Sequence, residues 1–117
     1  MKISILLPYK ENFSAKYAGA VSLFVKDTSI NSKYKKSIFI YGNMDYSKPF
    51  LKNYINIKLN KSLLQSNSKN YVTKFLEIEK KNNSDIIEIH NRPNYITYLE
   101  NIRNKKIILY FQIKLRN

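Results

Sequence analysis

Short apolar runs alternating with amphipathic stretches constrain this chain more than any other feature of its sequence. Residues 2–8 form a near-continuous apolar run closed by Pro8, the pattern of a strand covered on both faces. After a polar loop over 10–17, residues 18–29 place Val21, Phe24, Val25 and Thr28 at i, i+3, i+4 and i+7, one stripe of a helix. Residues 37–41 read as a second strand, closed by Gly42, and 54–59 as a third, partly exposed one. Residues 43–53, with Pro49, form the loop between them. From 68 to 82, Tyr71, Val72, Phe75, Leu76 and Ile78 gather on one side of a second helix, and 85–89 is a fourth strand. Pro93 suits the first turn of a third helix, in which Tyr95, Leu99 and Ile102 recur until Asn104 and Lys105 end it. Residues 106–111 close the series as a fifth strand. This order predicts an α/β fold: a Rossmann-like three-layer sandwich with a mostly parallel sheet and helices on both faces.

A chain of 117 residues supports one domain, expected over 1–111, with 112–117 left as a tail that completes no helix over the last strand. An apolar strand at a sheet edge invites pairing, so self-association through 106–111 is an expectation. There is no cysteine, which excludes disulfides and thiolate metal sites, and no metal is expected. The amino-terminal run is too short for a signal peptide and no stretch reaches the ~20 apolar residues of a membrane span, so the cytoplasm is the default location.

The net charge of +13 raises nucleic acid or an anionic membrane as partners. Lys, Asn, Ile and Tyr together make up about half of the chain, however, and a bias toward A- and T-rich codons generates that excess without any partner. Aromatic residues do not interleave with lysine in any regular way, and no RNP-like strand occurs, so nucleic acid is disfavoured. Peripheral membrane contact through basic faces stays open.

Glycine occurs only at Gly19 and Gly42. Neither G-x-G-x-x-G nor G-x-x-x-x-G-K-[ST] is present, which argues against dinucleotide and P-loop sites. Ala18, Gly19 and Ala20 stand at a helix start, where free N–H groups suit a phosphate or a sugar hydroxyl; close packing of helix on sheet explains the same small residues. Lys10 and Glu11, just after the first strand, either line a crevice or sit in a solvated loop. His90, the only histidine, follows the fourth strand with Asn91 and Arg92 beside it. In open α/β sheets the crevice beyond the carboxyl ends of strands takes ligands. A histidine there can act as acid, base or orienting donor, and the planar fork of Arg92 suits phosphate or carboxylate. The plainer reading makes His90 a strand-end or capping residue. No Ser-His-Asp set, carboxylate pair or metal spacing accompanies it.

The segments Pro8-Tyr9-Lys10-Glu11-Asn12, Tyr17-Ala18-Gly19-Ala20-Val21-Ser22 and Ile87-Glu88-Ile89-His90-Asn91-Arg92-Pro93 together resemble the N-terminal domain of glycosyltransferases of the family 4 type, which have the two-domain GT-B fold. The resemblance spans residues 2–111. It implies the acceptor-side half of an enzyme that transfers a sugar from a nucleotide-sugar donor to a glycan or lipid-linked acceptor, as in surface polysaccharide or lipopolysaccharide assembly at the inner membrane face. His90 then corresponds to the cleft histidine that supports acceptor binding or catalysis, and Gly19 to the small-residue loop near the donor phosphates. No cofactor beyond the donor is implied.

Two departures bear on activity. Where relatives carry His-Asn-Asp-Pro, this chain reads Phe111-Gln112-Ile113-Lys114, and no donor-binding half with its glutamate pair follows in the sequence. The expectation is a truncated or frameshifted copy that transfers no sugar by itself, since one half cannot enclose both substrates. The alternative is a basic binding module for nucleic acid or an anionic membrane surface, without catalysis.

Overall fold

The computed structural model describes residues 1–59, 66–99 and 106–110. Strands β1 (Ile3–Leu6), β2 (Ile38–Gly42), β3 (Tyr54–Asn56), β4 (Ile86–His90) and β5 (Lys106–Tyr110) form one sheet in the order β3-β2-β1-β4-β5. Every pairing is parallel: Ile5 stands beside Ile40 on β2 and Glu88 on β4, and Glu88 beside Ile108 on β5. The α/β class and the parallel sheet are as expected. Helices α1 (Ala20–Ile30) and α2 (Asn67–Asn82) follow β1 and β3.

Alternation along the strands sorts the core into two layers. Ile3, Ile5, Ile38 and Ile40 pack with Val21 and Val25 of α1 and with Phe13 and Met44 from the loops. Leu6, Tyr41, Ile87 and Ile89 pack on the other face with Tyr71, Val72 and Phe75 of α2 and with Tyr95 and Leu99. Ser66 caps α2 by accepting from the Lys69 backbone N–H, and Asn83 ends it in the left-handed conformation.

Three local expectations change. The inward stripe of α1 is Val21, Ser22, Val25 and Ser29, while Thr28 is exposed and Phe24, 39% exposed, lies at the margin of the stripe with its ring beside His90 and Tyr110. Ser22 is held inward by its hydrogen bonds to Glu11, a contact that hydrophobic periodicity does not register. The segment after Pro93 is a 3-10 helix over Pro93–Leu99, in which the Thr97 hydroxyl donates to the Asn94 carbonyl 2.8 Å away. Tyr95 and Leu99 are nonetheless buried as expected; the positions Ile102, Asn104 and Lys105 lie outside the described residues. The third strand stops at Asn56, although Ile57 still reaches the core. Strand β5 is an edge of the sheet among the described residues, and 111–117 lie outside them.

The buried tyrosines give the fold an alkaline limit. The Tyr71 hydroxyl, fully enclosed, donates to the Leu7 carbonyl at 2.7 Å and the Tyr41 carbonyl at 3.3 Å. Burial holds its pKa well above the ordinary 10.0, and burial also raises Tyr54 and Tyr41, the latter with help from the nearby Glu79 carboxylate. These phenols bind their protons more tightly folded than unfolded, so their contribution is intact below about pH 10 and is lost as pH rises through the folded values. Urea midpoints should fall steeply above about pH 10. Tyr71→Phe should cost about 1 kcal/mol at neutral pH and flatten that alkaline slope; an unchanged slope in Tyr71→Phe contradicts the assignment.

Candidate functional site

In the order β3-β2-β1-β4-β5, the chain leaves β1 toward β2 and leaves β4 toward β5. The loops after two adjacent strands therefore part in opposite directions, and a crevice opens between them beyond the carboxyl ends. All the residues singled out from the sequence fall on β1's loop, at the start of α1, or at the end of β4. The hydrogen bond from the Tyr9 backbone N–H to the Tyr95 hydroxyl, 3.0 Å, ties the two sides of this crest together.

On the β1 side, Lys10 is exposed with a left-handed backbone (φ 67°), and its ammonium lies 3.6 Å from Asp45. Both partners are mostly in solvent, so this ion pair adds little stability. Glu11 and Gly19 meet. Gly19 is the N-cap of α1 and has no side chain to offer; Glu11 Oε1 instead accepts from the Ser22 backbone N–H at 3.2 Å and the Ser22 hydroxyl at 3.0 Å. A Cβ on Gly19 would stand 2.7 Å from that oxygen, so a side chain here would displace the Glu11 carboxylate from the helix start. A carboxylate thus occupies the electropositive helix start, where the sequence left phosphate binding and close packing as alternatives. Ala18 is half-buried and Ala20 exposed.

Tyr17, also left-handed (φ 59°) and 70% exposed, stands 5.8 Å from the Tyr46 ring. The Lys16 ammonium lies 5.8 Å from the Tyr17 ring and 5.5 Å from the Tyr46 ring. Beside them a hollow of about 230 Å³ is lined by Ser14, Lys16, Tyr46 and Lys48. Aromatic faces with ammonium groups between them suit a sugar ring bearing a carboxylate or phosphate.

On the β4 side, Asn91 is left-handed (φ 54°) and donates its backbone N–H to the Tyr110 carbonyl at 2.8 Å. Arg92 is exposed and one guanidinium nitrogen donates to the Asn91 carbonyl, leaving the rest of the fork toward solvent. His90 departs from the expectation of an imidazole facing the crevice. It is 1% exposed, on the α1 face of β4, stacked on Tyr110 (ring centroids 4.8 Å, planes 6° apart) and edge-on to Phe24 at 5.8 Å. Strand parity and the pairing of His90 with Tyr110 on β5 put it there. Its nearest charged neighbour is Glu88, with Nε2 3.6 Å from Oε2.

Glu88, Phe24 and Tyr110 are neighbours of His90 that the sequence did not point to. One signal was available: residues 88 and 90 share a face of any strand through this segment. The larger groove of about 460 Å³ is elsewhere, on the α2 layer, lined by Phe39, Tyr41, Ile55, Glu77, Lys81 and Asn82. It is mainly apolar and holds none of the residues above. Among the described residues no cluster of His, Asp and Glu is placed to hold a metal ion, and no helix is long and apolar enough to cross a membrane. No protein-family model, curated protein or solved structure matches the chain.

Proposed function

We propose that this chain is the acceptor-side, N-terminal domain of a GT-B glycosyltransferase of the family 4 type, one that uses a nucleotide sugar and elongates a glycan or a lipid-linked acceptor. The observation that carries the reading is the position of the crevice: the segments that resemble that family flank the divide between β1 and β4, on a sheet of the required parallel order. In the reaction an acceptor hydroxyl oxygen bonds to the anomeric carbon, the bond from that carbon to the nucleotide diphosphate breaks with its electron pair going to the diphosphate oxygen, and the hydroxyl proton passes to the departing diphosphate or to solvent. This domain's share is holding the acceptor. Lys10, Lys16, Asn91 and Arg92 supply charge and hydrogen bonds at the rim, and Tyr17 and Tyr46 supply a stacking surface. His90, enclosed by Phe24 and Tyr110, does not reach the crevice, so its enclosure counts against the acceptor-contacting role that the resemblance implies for it, and the reading rests on the crest residues alone. Glu11 organises the loop by capping α1. Such a domain works in the cytoplasm against the inner membrane, where basic crest residues face anionic headgroups.

Calorimetric titration of the chain with neutral and acidic oligosaccharides, nucleotide sugars and duplex DNA tests this. The expected result is saturable oligosaccharide binding that Arg92→Ala and Lys16→Ala each weaken about fivefold while the circular dichroism spectrum stays unchanged. Absence of glycan and nucleotide-sugar binding contradicts the proposal. DNA binding whose log K falls linearly with log salt, without glycan binding, would establish the basic-module alternative in its place.

A further inference from the structure

Glu88 stands on β4 in a chain with 21 Lys and Arg against 8 Asp and Glu. Its carboxylate is 19% exposed in the middle of β4, and the basic group within ion-pair distance of it among the described residues is the His90 imidazole, Nε2 to Oε2 3.6 Å, which carries charge only when protonated. While that imidazole is neutral, the carboxylate is partly withdrawn from water without a cation, which is costly. It opens on a cleft of about 170 Å³ between α1 and the sheet, lined also by Ile3, Ile5, Phe24, Ser29 and Tyr110.

The polar groups of this cleft do not satisfy one another. Ser29 is 3% exposed and its Oγ has no hydrogen-bond partner among the described residues, although neighbouring Thr28 bonds back to the α1 carbonyls of Phe24 and Val25. His90, behind Glu88, likewise has no hydrogen bond at either ring nitrogen among the described residues. The Tyr110 hydroxyl is held above its usual pKa by burial and by the Glu88 carboxylate, so phenol and carboxylate share one space. Buried polar atoms are normally paired, and the open Ser29 hydroxyl in the same cleft as the Glu88 carboxylate marks a place for an outside donor. The two ring-bearing walls, Phe24 and Tyr110, lie 5.9 Å apart by centroid. A carboxylate, a hydroxyl acceptor and aromatic faces around a small volume form the chemistry that recognises an ammonium group.

We infer that the cleft between α1 and β4 binds a small primary alkylammonium, with its nitrogen against Glu88 and Ser29 and its alkyl stem on Ile3 and Ile5. The aromatic walls contribute cation–π attraction, and the carboxylate supplies most of the selectivity over neutral molecules. The site is separate from the crest and does not depend on the glycosyltransferase reading.

The test is an NMR titration of the whole chain with n-propylammonium chloride, with n-propanol at equal concentrations as the neutral control. Saturable shifts centred on Ser29, Glu88 and Tyr110, a millimolar dissociation constant, and at least tenfold loss in Glu88→Gln are expected. Ser29→Ala should weaken binding about threefold. Non-saturating shifts, equal binding of n-propanol, or an unchanged affinity in Glu88→Gln would overturn the inference. Should Glu88→Gln fail to fold, Ser29→Ala decides: threefold loss supports the site and unchanged affinity removes it.

Discussion

Glu79→Ala should lower the unfolding free energy by about 3 kcal/mol, measured as a drop in urea midpoint at constant m-value. Glu79 is 2% exposed near the end of α2 and gathers three donors. Its Oε2 accepts from the Ser4 hydroxyl at 2.9 Å and the Ser84 hydroxyl at 3.1 Å, and its Oε1 accepts from the Ser84 backbone N–H at 2.6 Å. The Ser4 and Ser84 oxygens are also in contact with each other, so the two hydroxyl protons are shared over the three oxygen–oxygen contacts of this cluster. One carboxylate thereby joins the central strand β1, the end of α2 and the turn that starts β4. Alanine leaves a backbone N–H and hydroxyl donors buried without their acceptor, and each such group costs about 1–3 kcal/mol before relaxation. A loss below 1 kcal/mol would show that water or a shifted serine takes over the role.

The second large effect is expected at Phe75, four residues earlier on the same helix. Its ring is fully buried and meets Tyr41 edge-on at 5.2 Å, within the cluster that contains Tyr71, Val72, Ile87 and Ile89. Truncation to alanine removes that burial and leaves a cavity the parallel sheet cannot fill, at a cost of about 4 kcal/mol. A domain of this size has about 5–15 kcal/mol in total, so Phe75→Ala should shift thermal unfolding by well over 10 °C. Phe75→Leu should recover more than half of the loss. Because residues 75 and 79 lie one turn apart, the double variant is expected to deviate from additivity, and a double-mutant cycle reads that coupling.

How far the sequence alone leads depends on which residues decide each element. The strands were legible because parallel strands covered on both faces leave apolar runs with few other interpretations: Ile3, Ile5, Leu6 and Leu7 are all buried, as are Ile87 and Ile89. Helix α2 was legible because Tyr71, Val72 and Phe75 are both large and inward. Helix α1 was found, but its orientation was not, because Ser22 and Ser29 occupy the near face while Phe24 stays partly in solvent. Hydrophobicity identifies side chains that gain by burial; it does not identify a serine held inward by a partner, as Ser22 is by Glu11, or one enclosed beside a cleft, as Ser29 is. The 3-10 helix after Pro93 kept the expected inward residues, but Asn94 and Thr97 favour local i to i+3 bonding over a regular α-helix.

The crest follows the same pattern. The addresses of Lys10, Glu11, Gly19, Asn91 and Arg92 follow from strand ends, which periodicity supplies. The contact of Glu11 with α1 and the enclosure of His90 by Phe24 and Tyr110 depend on long-range packing, which no local pattern encodes. The Glu11 contact also changes what a ligand phosphate would meet at the α1 start: a carboxylate that must move first.

The central claim, that the divide between β1 and β4 is the ligand face, is tested most directly by mapping amide chemical-shift changes as an acidic oligosaccharide and a nucleotide sugar are titrated into the labelled chain. The account expects the changes to concentrate on residues 9–19, 46–48 and 91–92. Changes confined to the groove of Phe39, Ile55 and Lys81, or no saturable change anywhere, would contradict it.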